Sequence, residues 1–147
     1  MNLLLDTHIF LWFVFAETAL NSYARSLIED KASTKFLSMA SVWEMAIKHS
    51  IGKLPLTLPF EEFMRQQPER NNLVLLPREF DHLIKVSSLP MHHRDPFDRL
   101  MIAQAMTENM AVVSADAAFD AYGVTRLWWR SRNRDFCCLC VKFSPVS

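Results

Sequence analysis

The sequence runs to 147 residues, half of them apolar, which is enough chain and enough hydrocarbon for one buried core. Only 2 glycines are present, which excludes glycine-cradle phosphate sites, and 16 Lys+Arg against 16 Asp+Glu removes the bulk basicity that usually marks a nucleic-acid binder. The three cysteines, Cys137, Cys138 and Cys140, form an odd, clustered set that offers neither a disulfide framework nor a metal site within one chain and fits a reducing cytoplasm.

Met1 to Asp6 lacks a basic n-region and reaches an acid after three leucines, so it is not a signal peptide. The apolar run Ile9 to Ala16 is far short of the roughly 20 residues that a membrane span needs, so no membrane partner is expected. Leu3-Leu4-Leu5 is a short buried strand ending at Asp6-Thr7, and a helix begins within Ile9 to Phe15. Leu20 to Asp30 is an amphipathic helix with Tyr23, Ala24, Leu27 and Ile28 on one face. Lys35 to Ser38 is a second strand, and Ser41 to His49 a helix with Val42, Met45 and Ala46 at core spacing. Gly52 suits a helix C-terminus, and Pro55 and Pro59 mark an irregular connection.

Further along, Phe60 to Gln67 is helical, Leu73 to Leu76 a strand, and Arg78 to Ser87 a helix running into the loop Leu89 to Arg94. Asp95 has the character of an N-cap, with Pro96 at the first helical position, and that helix extends to about Asn109. Met110 to Val113 is a buried strand leading to Ser114-Ala115-Asp116, and Val124 to Trp128 is a final strand. Short apolar strands alternating with helices predict an α/β fold with a mostly parallel sheet covered on both faces. Ligands in such folds sit beyond the carboxyl ends of the strands, where Asp6 and Asp116 fall.

Asp6, Glu44, Asp98 and Asp116 form the candidate site. Gathered in one place they repel, at roughly 4 kcal/mol per pair for a separation of about 4 Å and an effective dielectric near 20. Such a cluster must take up protons or bind a cation, and oxygen-preferring Mg2+ or Mn2+ is the natural choice, with phosphodiester cleavage as the matching chemistry. Plainer roles stay open for each: Asp6 and Asp116 as helix caps, Glu44 paired with Lys48, and Asp98 at a helix N-terminus. The loop His92-His93-Arg94, with Arg99 one residue beyond Asp98, puts cations beside the acids for phosphate positioning, or else Arg94 or Arg99 forms a salt bridge to Asp95 or the cluster. His92 and His93 lack zinc-like spacing. The aromatics Phe10, Trp12, Phe13 and Phe15 suit a core or an interface.

The stretches Leu3 to His8, Ser41 to Lys48, His93 to Leu100 and Val112 to Asp116 together resemble the PIN-domain ribonucleases, in particular the VapC-like toxins of bacterial toxin–antitoxin pairs. The resemblance covers roughly residues 2–129. It implies a PIN-like three-layer α/β/α domain over residues 1–129 and leaves 130–147 as an atypical tail, with Arg130, Arg132 and Arg134 ahead of apolar Phe136 to Val141. It further implies that Asp6, Glu44, Asp98 and Asp116 hold Mg2+ or Mn2+ and cut RNA, with Thr7, Ser114, Arg94 and Arg99 in support. A cognate antitoxin, a homodimer and a cytoplasmic location follow from the same resemblance. Two alternatives remain: a non-catalytic binding module on the same fold, and a phosphatase using Asp6 as nucleophile. Against the phosphatase, position 8 is His8 where a second acid is needed.

Overall fold

The structure, a computed structural model, describes residues 1–129; the expectations for the tail over 130–147 lie outside the described residues. Five strands form one parallel sheet: β1 (Asn2–Leu5), β2 (Thr34–Ser38), β3 (Leu73–Leu76), β4 (Ala111–Val113) and β5 (Arg126–Leu127). Their spatial order is β3-β2-β1-β4-β5, so β1 is central. The chain builds outward from β1 through β2 to β3, then crosses to β4 on the other side. The switch point therefore falls between β1 and β4, where adjacent strand ends open a crevice. Asp6 stands at its edge, its backbone N–H donating to the Val113 carbonyl across the two strand ends at 3.1 Å.

Successive residues of β1 face opposite sides of the sheet, and all three leucines are fully buried. Leu3 and Leu5 join one core with Ile9 and Phe10 of α1 (Thr7–Val14), Ala24 and Ile28 of α2 (Ser22–Glu29), Met45 of α3 (Met39–Ser50) and Phe63 of α4 (Phe60–Arg70). Leu4 joins the other, with Leu89 after α5 (Phe80–Ser88), Leu100 to Ala103 of α6 (Pro96–Thr107), and Phe119. This is the three-layer α/β/α arrangement expected from uninterrupted apolar strands.

The start of α6 follows the cap chemistry legible in the sequence. Asp95 Oδ1 accepts from the backbone N–H groups of Phe97 and Asp98 at 2.9 and 3.1 Å, and Pro96 occupies the first turn where no N–H is needed. Because the strands are parallel and α6 precedes β4, its N-terminus lies at the carboxyl end of the sheet. That places Asp98 on the same side of the molecule as Asp6.

The aromatic run of α1 does not form the exposed surface that its composition suggests. Phe10 is fully buried and stacks edge-on to Phe63, Trp12 packs against Trp128 at 6.2 Å, and Arg25 lies 5.7 Å over the Phe13 ring. Only Phe15 is exposed, and it stacks on Phe63 at 5.8 Å. The exposed apolar side chains lie elsewhere. Met39, Trp43 and Ile47 form an every-fourth-residue row along α3 that Ile51 continues at its C-cap, and Phe80, Leu83 and Ile84 stand on α5. Among the described residues, no helix is long and apolar enough to cross a membrane.

Candidate metal centre

Asp6 occupies the N-cap position of α1, yet its carboxylate makes no cap hydrogen bond. Instead Oδ2 accepts from the Ser114 hydroxyl at 2.7 Å, a contact between the segments following β1 and β4. The same Ser114 oxygen accepts from the Asp116 backbone N–H at 3.0 Å, so one buried hydroxyl fixes two of the acids. Burial pushes the Asp6 carboxyl above its ordinary range, opposed by the Ser114 hydrogen bond and nearby His8; the Glu44 carboxylate adds to the rise. A structural cap has no need of this environment. The adjoining Thr7 is fully buried and donates from its hydroxyl to Ser41 at 2.9 Å, tying α1 to α3.

Asp98 lies in the first turn of α6. Burial pushes its carboxyl up to about 6 against the His93 hydrogen bond, and the Asp6 and Asp95 carboxylates push it further up. Ligand atoms of His93, Asp98 and Asp116 all lie within 4.8 Å of one another. Asp116 is exposed and also caps the 3-10 helix over Ala117–Tyr122, accepting from Ala118 N–H at 2.9 Å. Glu44 is 8% exposed, pairs with Lys48 at 3.0 Å, and is linked to the group through its effect on Asp6. Of the four acids, Asp98 and Asp116 share the group that also holds His93, whereas Asp6 is linked to Asp98, and Glu44 to Asp6, through charge alone. The remaining nearby acids are otherwise occupied. Asp95 caps α6, and Asp120 forms a two-point pair with Arg126 at 2.7 and 2.8 Å.

The two arginines separate. Arg94 is exposed in the loop before α6. Arg99 is 8% exposed and is neither a phosphate-reaching cation nor a salt-bridge partner of the acids. Its guanidinium donates to the carbonyls of Val86, Leu89, Pro90 and His93 and to the Tyr122 hydroxyl, at 2.9 to 3.3 Å. The reason is helical geometry, since residues one apart on a helix do not share a face, and Asp98 and Arg99 diverge. Arg99 thereby organises the 86–93 segment. His93, which the sequence offered only within a cationic loop beside the acids, is the residue this segment brings to them: its Nε2 is 2.6 Å from Asp98 Oδ2. The signal that could have found it is its place five residues ahead of Asp98, across a cap that turns the chain back over the first turn of α6.

Whether these groups suit a divalent ion can be judged from the donors. Carboxylates massed in a partly buried crevice, with two of them held above their ordinary range, are under-compensated in charge, and hard oxygen donors match Mg2+ or Mn2+. The residues fit such an ion.

Fold and site together define an α/β domain with a parallel sheet and carboxylates near its switch point. The PIN domain family matches residues 3–124, and the chain belongs to the PIN-domain family, whose VapC-type members are nucleases. Among solved structures, the fold is similar to that in VapBC2 from Rickettsia felis bound to a DNA fragment from its promoter. That match has 15% identity and a TM-score of 0.67 and covers 86% of this chain and 98% of that one. FitAcB from Neisseria gonorrhoeae matches at 17% identity and TM-score 0.59, over 84% and 95% of the two chains. VapBC-1 from nontypeable Haemophilus influenzae matches at 13% identity and TM-score 0.60, over 86% and 97%. At these identities the likeness is one of fold. No curated protein matches the chain by sequence.

Proposed function

We propose that the chain is a metal-dependent endoribonuclease, the toxin of a cytoplasmic toxin–antitoxin pair, with Mg2+ or Mn2+ held by Asp6, Glu44, Asp98 and Asp116. The observation that carries this reading is the treatment of Asp6: a buried carboxylate at a helix cap position that makes no capping hydrogen bond, has only the adjoining Thr7 N–H of the helix beside it, and is oriented by Ser114. A divalent ion bound there supplies Lewis acidity toward a phosphodiester and offsets its charge. The chain's own groups do the rest. Ser114 orients Asp6 and, through the Asp116 backbone, the loop carrying the last acid. Thr7 locks the start of α1 to α3, and Lys48 balances Glu44. A chain of zero formal net charge must supply its phosphate contacts locally, and the exposure of Arg94, four residues before Asp98, supports that role for it.

The VapBC and FitAcB likenesses favour a protein antitoxin as partner. A homodimer is supported by the apolar row of α3, which borders a groove lined by Met39, Trp43, Pro77, Arg78 and Leu100 at the entry to α5. This contiguous face suits a self-complementary two-fold contact better than the aromatics of α1, which are covered from within. The test is cleavage of RNA by the purified chain with Mg2+ or Mn2+, beside a variant carrying all four acid-to-amide changes. Cleavage that requires the cation and vanishes in the variant supports the reading. Binding of RNA without turnover under any divalent cation points to the non-catalytic alternative.

A further inference from the structure

We infer that His93 is a nitrogen ligand of the metal centre and makes it select Mn2+ over Mg2+, an inference that rests on the metal-dependent reading above. The evidence begins with how the residue is held. Its backbone N–H donates to the Tyr122 hydroxyl at 2.8 Å, and its carbonyl accepts from Arg99 Nη1 at 3.3 Å. Arg99 and Tyr122 are both 8% exposed. Both main-chain groups of one loop residue are therefore fixed by buried side chains, whereas the flanking His92 and Arg94 are exposed. Arg99 also ties down the carbonyls of Val86, Leu89 and Pro90, so the whole approach to His93 is fastened from beneath. A surface loop has no need of a buried guanidinium at its base unless the position of something it carries matters.

What it carries is an imidazole within ligand distance of two carboxylates. Nε2 reaches Asp98 Oδ2 at 2.6 Å, and one atom each from His93, Asp98 and Asp116 fit within 4.8 Å. Three donors converging at that spacing can share one cation. Binding requires the neutral ring, with its proton on Nδ1 and the Nε2 lone pair turned to the ion, so the His93–Asp98 hydrogen bond gives way as both atoms become ligands. No group is oxidised or reduced. The donor set then sets the preference. Mg2+ takes oxygen almost exclusively and dehydrates reluctantly, whereas first-row transition ions accept imidazole readily. Replacing one oxygen by nitrogen therefore favours Mn2+.

The alternative role for His93 is to orient Asp98 without touching the ion, and His93→Gln separates the two, because the amide can still donate to Asp98 but is a poor nitrogen ligand. The experiment uses the full chain, with Mn2+ and Mg2+ binding measured by titration calorimetry and the Mn2+ form examined by electron spin echo envelope modulation. The expected result is tighter binding of Mn2+ than Mg2+ and a nitrogen coupling to Mn2+ in the parent protein. In His93→Gln that coupling disappears and Mn2+ affinity drops by about tenfold or more, with Mg2+ affinity within about twofold of the parent. His8→Gln, altering the other imidazole near Asp6, should keep the coupling. Mn2+ binding with no nitrogen coupling in the parent, or an equal loss for both ions in His93→Gln, overturns the ligand role and leaves the ribonuclease reading standing. Failure of the parent to bind Mn2+ at all overturns both.

Discussion

Two polar clusters lie within one helix of each other in this molecule, and they are built on opposite principles. Around Arg99 every group is matched: one guanidinium serves four carbonyls and the Tyr122 hydroxyl. One turn farther on, fully buried Gln104 donates to the Pro77 carbonyl and accepts from Ser38. Around Asp98 the sum does not close, since carboxylates face one another and burial raises their affinity for protons. Buried polar groups that satisfy each other rigidify a fold, and like charges left facing each other weaken it. The first cluster is scaffold. On the proposed reading, the second is a site whose counter-charge is a bound cation.

If that contrast is right, substitutions in the two clusters have opposite consequences. The largest effect is expected at Asp6. Asp6→Asn keeps an acceptor for Ser114 but removes a charge, so RNA cleavage should fall by more than about a hundredfold, beyond the range for losing a supporting partner. Thermal stability should hold or rise, as differential scanning calorimetry can check. A large drop in stability would return Asp6 to the scaffold. Arg99→Met should do the reverse in kind, leaving carbonyls unmatched and costing about 2–4 kcal/mol in urea denaturation. A loss below about 1 kcal/mol would show that water replaces the guanidinium and that the clamp is dispensable.

Acidity provides the third contrast. The Asp98 carboxyl is raised in the folded protein to about 6. Its contribution to stability is therefore fully present below the unfolded value near 4 and is lost as pH rises through about 6. Metal-free protein should accordingly be less stable than Asp98→Asn at pH 7, by up to about 3 kcal/mol, and the gap should close as pH falls toward 4. A gap independent of pH would remove Asp98 from the under-compensated group. The smallest folding effect is expected at Trp43, half-exposed on α3 and edge-on to Phe97 at 5.0 Å: Trp43→Glu should cost the monomer about 1 kcal/mol through that lost pair. The same substitution should shift sedimentation from dimer to monomer at micromolar concentration. An unchanged sedimentation coefficient would move the interface away from this face.

Much of this architecture is legible in the residues themselves. Leu3-Leu4-Leu5 and Val112-Val113 have no polar alternation because helices cover both faces of the sheet, and Asp95-Pro96 announces the start of α6 in local cap chemistry. What was not legible depends on distant segments. The edge position of β3 leaves Val74 and Leu75 exposed, which four apolar letters cannot convey. Phe10 to Phe15 looks like a sticky surface until Phe63, Arg25 and Trp128 arrive from elsewhere in the chain to cover it. Helix α4 runs past its expected end at Gln67 to Arg70, carrying a buried Pro68 in its last turn despite the N–H that proline lacks. At the site, strand-end placement picked out Asp6 and Asp116. Only three-dimensional placement reveals that Arg99 turns away from Asp98 and that His93 turns toward it.

The central claim is that the carboxylates at the β1–β4 switch point form a cation site. Anomalous diffraction from crystals of the chain soaked in Mn2+ tests it most directly. The account predicts a manganese peak contacted by Asp98 and Asp116 with Asp6 facing it, absent in crystals of Asp6→Asn grown and soaked alike. Full-occupancy manganese found only elsewhere, or no peak in the crevice of the parent protein, would contradict it.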